Sequence, residues 1–166
     1  MKKQFKLTKG KYEEIKQELY NLRTVKEREI AEQIKEARSH GDLSENSEYD
    51  EAKNEQGKLY SRMAELENIL ENAVIIDETA RYFSISPDEI RGQRRSKNIA
   101  IARHVSIYLI RSLINLSLND IGAIFEDRNH ATILSSIRKI ETMIKTEPEM
   151  SATIRDITSN INSRQR

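Results

Sequence analysis

The chain has 166 residues, a formal net charge of +1, 33% charged and only 5% aromatic residues, five Gly, two Pro and no Trp. Such a composition suits helices, including long solvent-bathed ones, and argues against a sheet-rich fold. No cysteine is present, which excludes disulfides and thiolate metal sites. The first residues, MKKQFKLTKGKYEE, hold no signal-peptide core, and no stretch approaches the roughly 18 apolar residues of a membrane helix. The expectation is a cytoplasmic protein with no membrane partner.

The charge is unevenly divided. Residues 1–77 carry 14 bases and 17 acids, while residues 78–166 carry 14 and 10. No acid occurs from Arg91 through Asn119, a stretch that holds Arg91, Arg94, Arg95, Lys97, Arg103 and Arg111. Two modules with different partners are predicted.

In chain order, Thr8 is the expected N-cap of a first helix. Tyr12, Ile15, Leu19 and Leu22 follow at steps of 3, 4 and 3. Lys26 then occupies the seam position, and the pattern resumes at Ile30, Ile34 and Ala37. The step of 8 from Leu22 to Ile30 is a stutter, which locally unwinds a supercoil. From Tyr49, the positions Ala52, Gln56, Leu59, Met63, Leu66, Leu70 and Ala73 alternate steps of 3 and 4, the a/d seam of a heptad. Between the two runs lies SHGDLSEN, where Gly41 can end the first helix in a left-handed conformation and Ser44 or Asp42 can cap the second. An antiparallel hairpin follows, each helix of about 28 residues and about 40 Å.

The tip is acidic: Asp42, Glu45, Glu48 and Asp50. Acids near a helix N-terminus serve capping and solubility. The alternative is a metal-ligand pair, Asp42 and Glu45, completed by a partner, because Mg²⁺ demands six oxygens.

LTKGKYEEIKQEL, VKEREIAEQIKEARSHGDLSENSEYDEAKNEQG and RMAELENILENAVIID resemble the N-terminal coiled-coil domain of the transcript-cleavage factors GreA and GreB over about residues 1–77, most specifically in GDLSENSEYDEAK. The resemblance implies a rod entering the secondary channel of RNA polymerase. Asp42 and Glu45 would there share a Mg²⁺ with the polymerase, and Arg38 and Lys53 would face the RNA. The globular domain that follows the rod in that family has no counterpart after Asp77.

In the second half, ETARYFSI reads as a short helix over residues 78–85, and Ser86-Pro87 as a helix start. RGQRRSKN is a basic loop. Ile99, Ala102, Val105, Leu109 and Leu113 mark a central core helix. LNDIGAIF reads as a short helix, DRN as a turn and HATILSSIRKIETMIK as a long helix. In the long helix, Ile133, Ile137, Ile140 and Ile144 mark one face, and Thr132, Ser135, Arg138 and Lys139 the other. This is a helix-turn-helix pattern, whose second helix presents its first turn to base edges. Asn129, His130 and Thr132 are compact hydrogen-bonding groups there, and Arg94, Arg95, Lys97 and Arg103 suit phosphates or a neighbouring groove. Against this stands a plain three-helix core with a solvated basic face.

ETARYFSISPDEIRGQRRSKNIAIARHVSIYLIRSL and LSLNDIGAIFEDRNHATILSSIRKIE resemble the C-terminal DNA-binding domain of the replication initiator DnaA over about residues 77–150, and the tail to residue 166 resembles its closing helix. The resemblance implies binding to DnaA boxes. His130 and Thr132 would contact bases, Arg94 or Arg95 would enter the minor groove, and Arg103 would match the family's PRQ arginine. Asn129 replaces the usual Asp, Ala131 a common Thr, and Ala102-Arg103-His104 replaces Pro-Arg-Gln. No GxxxxGK[ST] motif occurs, so an ATP site is not expected.

The sequence therefore implies an all-α protein: a coiled-coil hairpin, residues 1–76, followed by a helix-turn-helix domain, residues 77–166. The expected function is sequence-specific binding of double-stranded DNA, linked to replication initiation, with an arm directed to RNA polymerase. The expected DNA-binding set is Arg94, Arg95, Lys97, Arg103, His104, Asn129, His130, Ala131 and Thr132. Two alternatives are an elongation factor stimulating RNA cleavage through Asp42 and Glu45, and a chimera whose rod is inert. No catalytic constellation appears, so no enzyme is expected, and no cofactor beyond the shared Mg²⁺. The location would be cytoplasmic and nucleoid-associated.

Overall fold

The computed structural model describes residues 9–42 and 46–164, and contains helices but no strand among them. The expected caps Thr8 and Ser44 lie outside these residues. The chain divides into two compact units, residues 7–70 and 71–166.

The first unit opens with α1 (Lys9–Asn21), a π-helical segment (Leu22–Lys26) and α2 (Glu27–Ser39). The π segment falls on the stutter. Two α-helical turns take about 7.2 residues, but the seam leaves 8 between Leu22 and Ile30. One wide turn absorbs the surplus, and the Glu27 N–H bonds to the Leu22 carbonyl five residues back. Lys26, which heptad counting places in the seam, is exposed and pairs with Glu29 at 3.3 Å. Val25 and Glu27 are half-buried beside it.

The return helix is α3 (Ser47–Phe83). Ile15, Leu19 and Leu66 form a buried cluster, with Leu22, Met63, Ile69 and Leu70 packed on it. Toward the tip, Ile34, Ala37, Ala52 and Leu59 are buried. The flanks carry ion pairs of Arg62 with Glu18, at 2.8 Å, and of Arg23 with Glu67. These pairs are exposed and add little stability.

The short helix expected over residues 78–85 is not separate. Nothing between Asp77 and Glu78 breaks a helix, and Val74, Ile75, Ile76 and Ala80 continue as buried positions of α3. The helix stops at Ser84, whose φ is +55°. Ser84 N–H bonds Arg81 O at 3.2 Å and Ile85 N–H bonds Ala80 O at 3.0 Å, a Schellman stop.

The rest of the second unit comprises α4 (Pro87–Arg91), α5 (Lys97–Leu113), α6 (Leu118–Ile124), α7 (His130–Thr146) and α8 (Pro148–Arg164). Ser86 caps α4 in a capping box with Glu89, as its sequence predicts. Helix α5 is central and packs against α4, α6, α7 and α8. It buries Ile99, Ala102, Val105, Ile107, Leu109 and Ile110, whereas Leu113, expected on the same face, is 45% exposed at the helix end. Ile133, Ile137 and Ile140 of α7 and Ile157 and Ile161 of α8 complete the core. Each such side chain contributes roughly 1.5–3 kcal/mol by leaving water. The buried Glu78 carboxylate accepts from Arg164 at 3.1 Å and lies 3.4 Å from Arg81, so its charge is matched.

Candidate nucleic-acid interface and hairpin tip

The helix-turn-helix is built around one glycine. A Cβ on Gly122 would lie 2.0 Å from the Arg128 carbonyl oxygen, so α6 and the end of the turn meet backbone to backbone. Gly122 O accepts from the amides of Phe125 and Arg128, both at 3.1 Å. Phe125 is fully buried, and Glu126 and Asp127 turn the chain with φ of +56° and +55°.

Helix α7 then starts. Asn129 caps it, its Oδ1 accepting from the Thr132 amide at 2.9 Å and from the Thr132 hydroxyl at 3.0 Å. The carbonyl end of Asn129 is thus engaged in the cap, and its amide nitrogen is what it can still offer a ligand. Thr132 likewise keeps its oxygen as an acceptor. Asn129, His130, Ala131 and Thr132 are all exposed, as are Ser135, Arg138 and Lys139 further along the same helix. The opposite face is buried through Ile133, Ile137 and Ile140. A polar, partly basic stripe beginning at a helix N-terminus can donate to and accept from base edges and donate to phosphates.

The basic loop, residues 92–96, lies beside this turn. Arg128 Nη2 donates to Gly92 O at 2.9 Å. Within the loop, Arg94 is exposed and pairs with Glu89 at 3.2 Å. Arg95 and Lys97 are exposed too. Glu126 attracts Arg103 and Arg128, while Arg95 repels both.

Two expected DNA contacts turn inward instead. Arg103 is 5% exposed. Its Nε donates to Ile90 O at 2.7 Å and its Nη2 to Glu89 O at 2.9 Å. It closes the C-terminus of α4, where carbonyls lack helical partners. Burial, then the neighbouring Arg128, pushes its guanidinium down to about 10, still charged at neutral pH. His104 is half-buried, with Nδ1 2.8 Å from the Ser136 hydroxyl, and so joins α5 to α7. Burial first, then Lys139, Arg103 and Arg128, push its pKa down to about 4, so the ring is neutral. Sequence gives charge and spacing but not burial, and a basic side chain on an apolar helix was the available warning. Arg128 was the residue sequence reading passed over. Its signal is a base between the turn acids and the cap.

In the hairpin, the α2 end is shaped as its sequence predicts: Gly41 has φ +100° and its amide bonds Arg38 O at 3.4 Å. Among the described residues, α3 is capped by Asn46. Asn46 Oδ1 accepts from the Tyr49 amide at 3.1 Å, and Asn46 Nδ2 reaches back to Ala37 O at 2.6 Å, tying the two helices together. A carboxylate cannot make that second bond as a donor. Asp42 is exposed, and Glu45 lies outside the described residues. Arg38 stacks over the Tyr49 ring at 5.7 Å, and Lys53 donates to Gln56 at 3.1 Å. His40 is 3.8 Å from Glu48.

Residues 5–75 match the family described as transcription elongation factor, N-terminal, GreA and GreB. Residues 73–140 match the bacterial DnaA helix-turn-helix. The first match is also seen against individual proteins. Transcription elongation factor GreA of Acetivibrio thermocellus is 58% identical over 76 residues, covering 46% of this chain and 48% of that protein. The GreA of Thermosipho melanesiensis is 61% identical over 71 residues, 43% of this chain and 46% of that protein. That of Geobacillus kaustophilus is 57% identical over 76 residues, 46% and 48%. The chain thus spans about half the length of these GreA proteins. The two family matches together run from residue 5 to residue 140 and meet inside α3. Among the described residues, no helix is long and apolar enough to cross a membrane.

Proposed function

We propose that the second unit binds double-stranded DNA sequence-specifically, at sites of the DnaA-box kind, and that the hairpin is an arm directed to RNA polymerase. The observation that carries the reading is the exposed first turn of α7, His130-Ala131-Thr132, standing beside a basic loop anchored to the preceding turn. Major-groove readers need this layout: compact polar groups at a helix start, flanked by cations for phosphates. Arg94, Arg95, Lys97, Arg138 and Lys139 supply those cations. The chain so read is a binding protein rather than an enzyme on its own, acting at the nucleoid in the cytoplasm.

The test is binding to a DnaA-box duplex and a scrambled duplex over a salt series, with the unaltered chain and His130→Ala. The expected result is a preference for the box, lowered by about 1–3 kcal/mol in the variant. Equal and steeply salt-dependent binding to both duplexes would reduce the unit to a phosphate patch.

A second reading rests on the exposed Asp42 at the hairpin tip and the match of residues 5–75, which include the tip, to the GreA/GreB N-terminal family. Asp42 and Glu45 would be offered to a Mg²⁺ in the active site of RNA polymerase. Two carboxylates cannot fill six positions, so the partner must supply the rest. In transcript-cleavage assays with polymerase, Asp42→Asn/Glu45→Gln would abolish stimulation while leaving DNA binding intact. Co-purification with polymerase then distinguishes a working arm from an inert rod.

A further inference from the structure

We propose that Arg128 is a positioning residue, which locks the basic loop to the start of α7 so that the two engage DNA in one register. The proposal rests on the DNA-binding reading above. Its basis is the double use of a single guanidinium. Nη1 donates to Phe125 O at 3.3 Å and Nη2 to Gly92 O at 2.9 Å. Phe125 belongs to the turn, while Gly92 ends α4 and begins the loop, 36 residues from Arg128.

Both ends of this strut are fixed. The Arg128 amide bonds Gly122 O at 3.1 Å, and the Arg128 carbonyl packs where a Gly122 Cβ would stand. The next residue, Asn129, is the α7 cap. On the other side, Arg103 holds Glu89 O and Ile90 O, so two arginines together occupy the carbonyls that close α4. A planar fork can serve two fixed carbonyls at once, and half-burial removes competing water. A residue placed to grip phosphate would keep its fork free for it, whereas the fork of Arg128 is bonded to two backbone carbonyls.

Without the strut, the loop keeps its arginines but loses its place relative to α7. The loss therefore falls on box binding, where both elements must fit together, and not on general attraction to DNA.

The experiment uses the full chain, box and scrambled duplexes, and three backgrounds: unaltered, Arg128→Met and Arg128→Lys. Each is measured alone, with Arg94→Ala/Arg95→Ala, and with His130→Ala. Arg128→Met is expected to lower the preference for the box about tenfold, as befits a charged hydrogen bond. In that background the loop substitution costs little further, whereas His130→Ala costs as much as before. Arg128→Lys, which keeps the charge but not the fork, shows the same pattern more weakly. Equal weakening on both duplexes, or a loop substitution that costs its full amount in every background, overturns the proposal, since Arg128 would then be a plain phosphate contact. A loop substitution without effect in the unaltered chain also overturns it. If Arg128→Met fails to unfold cooperatively, Arg128→Lys decides by the same cycle. If the unaltered chain does not prefer the box, the DNA reading itself fails. The strut is then judged by amide exchange, which should rise in residues 93–96 of Arg128→Lys and not in α7; unchanged loop exchange sinks it.

Discussion

At the scale of single residues, the helix-turn-helix depends on an absence of atoms. Gly122→Ala places a methyl 2.0 Å from a backbone oxygen, which no rotamer change can relieve. The expected loss is about 1–3 kcal/mol in urea unfolding, with DNA preference falling too, because the turn feeds α7. His104 gives a second prediction. Its folded pKa, about 4, lies below the ordinary 6.5, so the fold favours the neutral ring. Its contribution is whole above about pH 6.5 and is lost as pH falls from there through about 4. Lys139, Arg103 and Arg128 face it and oppose protonation, while Ser136 holds its Nδ1. His104→Gln should flatten the pH dependence of stability across that window, as measured by denaturant midpoints at successive pH values. This is also where the sequence was least legible. Arg103 and His104 carry the residue types of a DNA contact, and only three-dimensional burial assigns them to bracing. His130 and Thr132, by contrast, follow an apolar helical stripe and a turn, and their exposure could be derived from period alone.

At the scale of elements, hydrophobic period was the strongest signal. It located α5, α6 and α7 to within a residue or two, and it located the stutter, though not its π-helical form. A step of 8 tells that the seam must drift, while backbone hydrogen bonding determines how the drift is absorbed. The same logic predicts an unusual tolerance. Deleting Thr24, an exposed residue bonded to Tyr20 O at 2.8 Å, shortens that step to 7 and brings Glu27 to a heptad position. The π turn should revert to α-helix, with hairpin stability changed by less than about 1 kcal/mol, because the turn's surplus residue is what is removed. Circular dichroism and thermal unfolding of the deletion variant would check it. A collapse of the hairpin would mean that Ile30 and Ile34 do not follow the seam. The join between the modules was legible in family resemblance but not in structure. Sequence divided a helix at Asp77 that α3 carries through to Phe83, because a helix end needs a breaker and none stands there.

At the scale of the whole molecule, the two units keep separate cores. Every residue of the larger buried cluster lies between Val74 and Ile161. Residues 71–166 expressed alone should therefore unfold cooperatively in urea and retain the full chain's duplex preference and salt slope. Loss of cooperativity would show that the fragment needs the hairpin sequence to fold. The helix ends of this unit hold a last consequence. Ser84, Asn115 and Glu126 each carry the chain past a helix end with φ near +55 to +60°, a backbone state in which glycine would avoid a clash of roughly 1–2 kcal/mol. Ser84 and Asn115 are outside the proposed DNA-facing set. The unit thus keeps heat tolerance in reserve at positions where an engineer could claim it without disturbing the proposed DNA contacts.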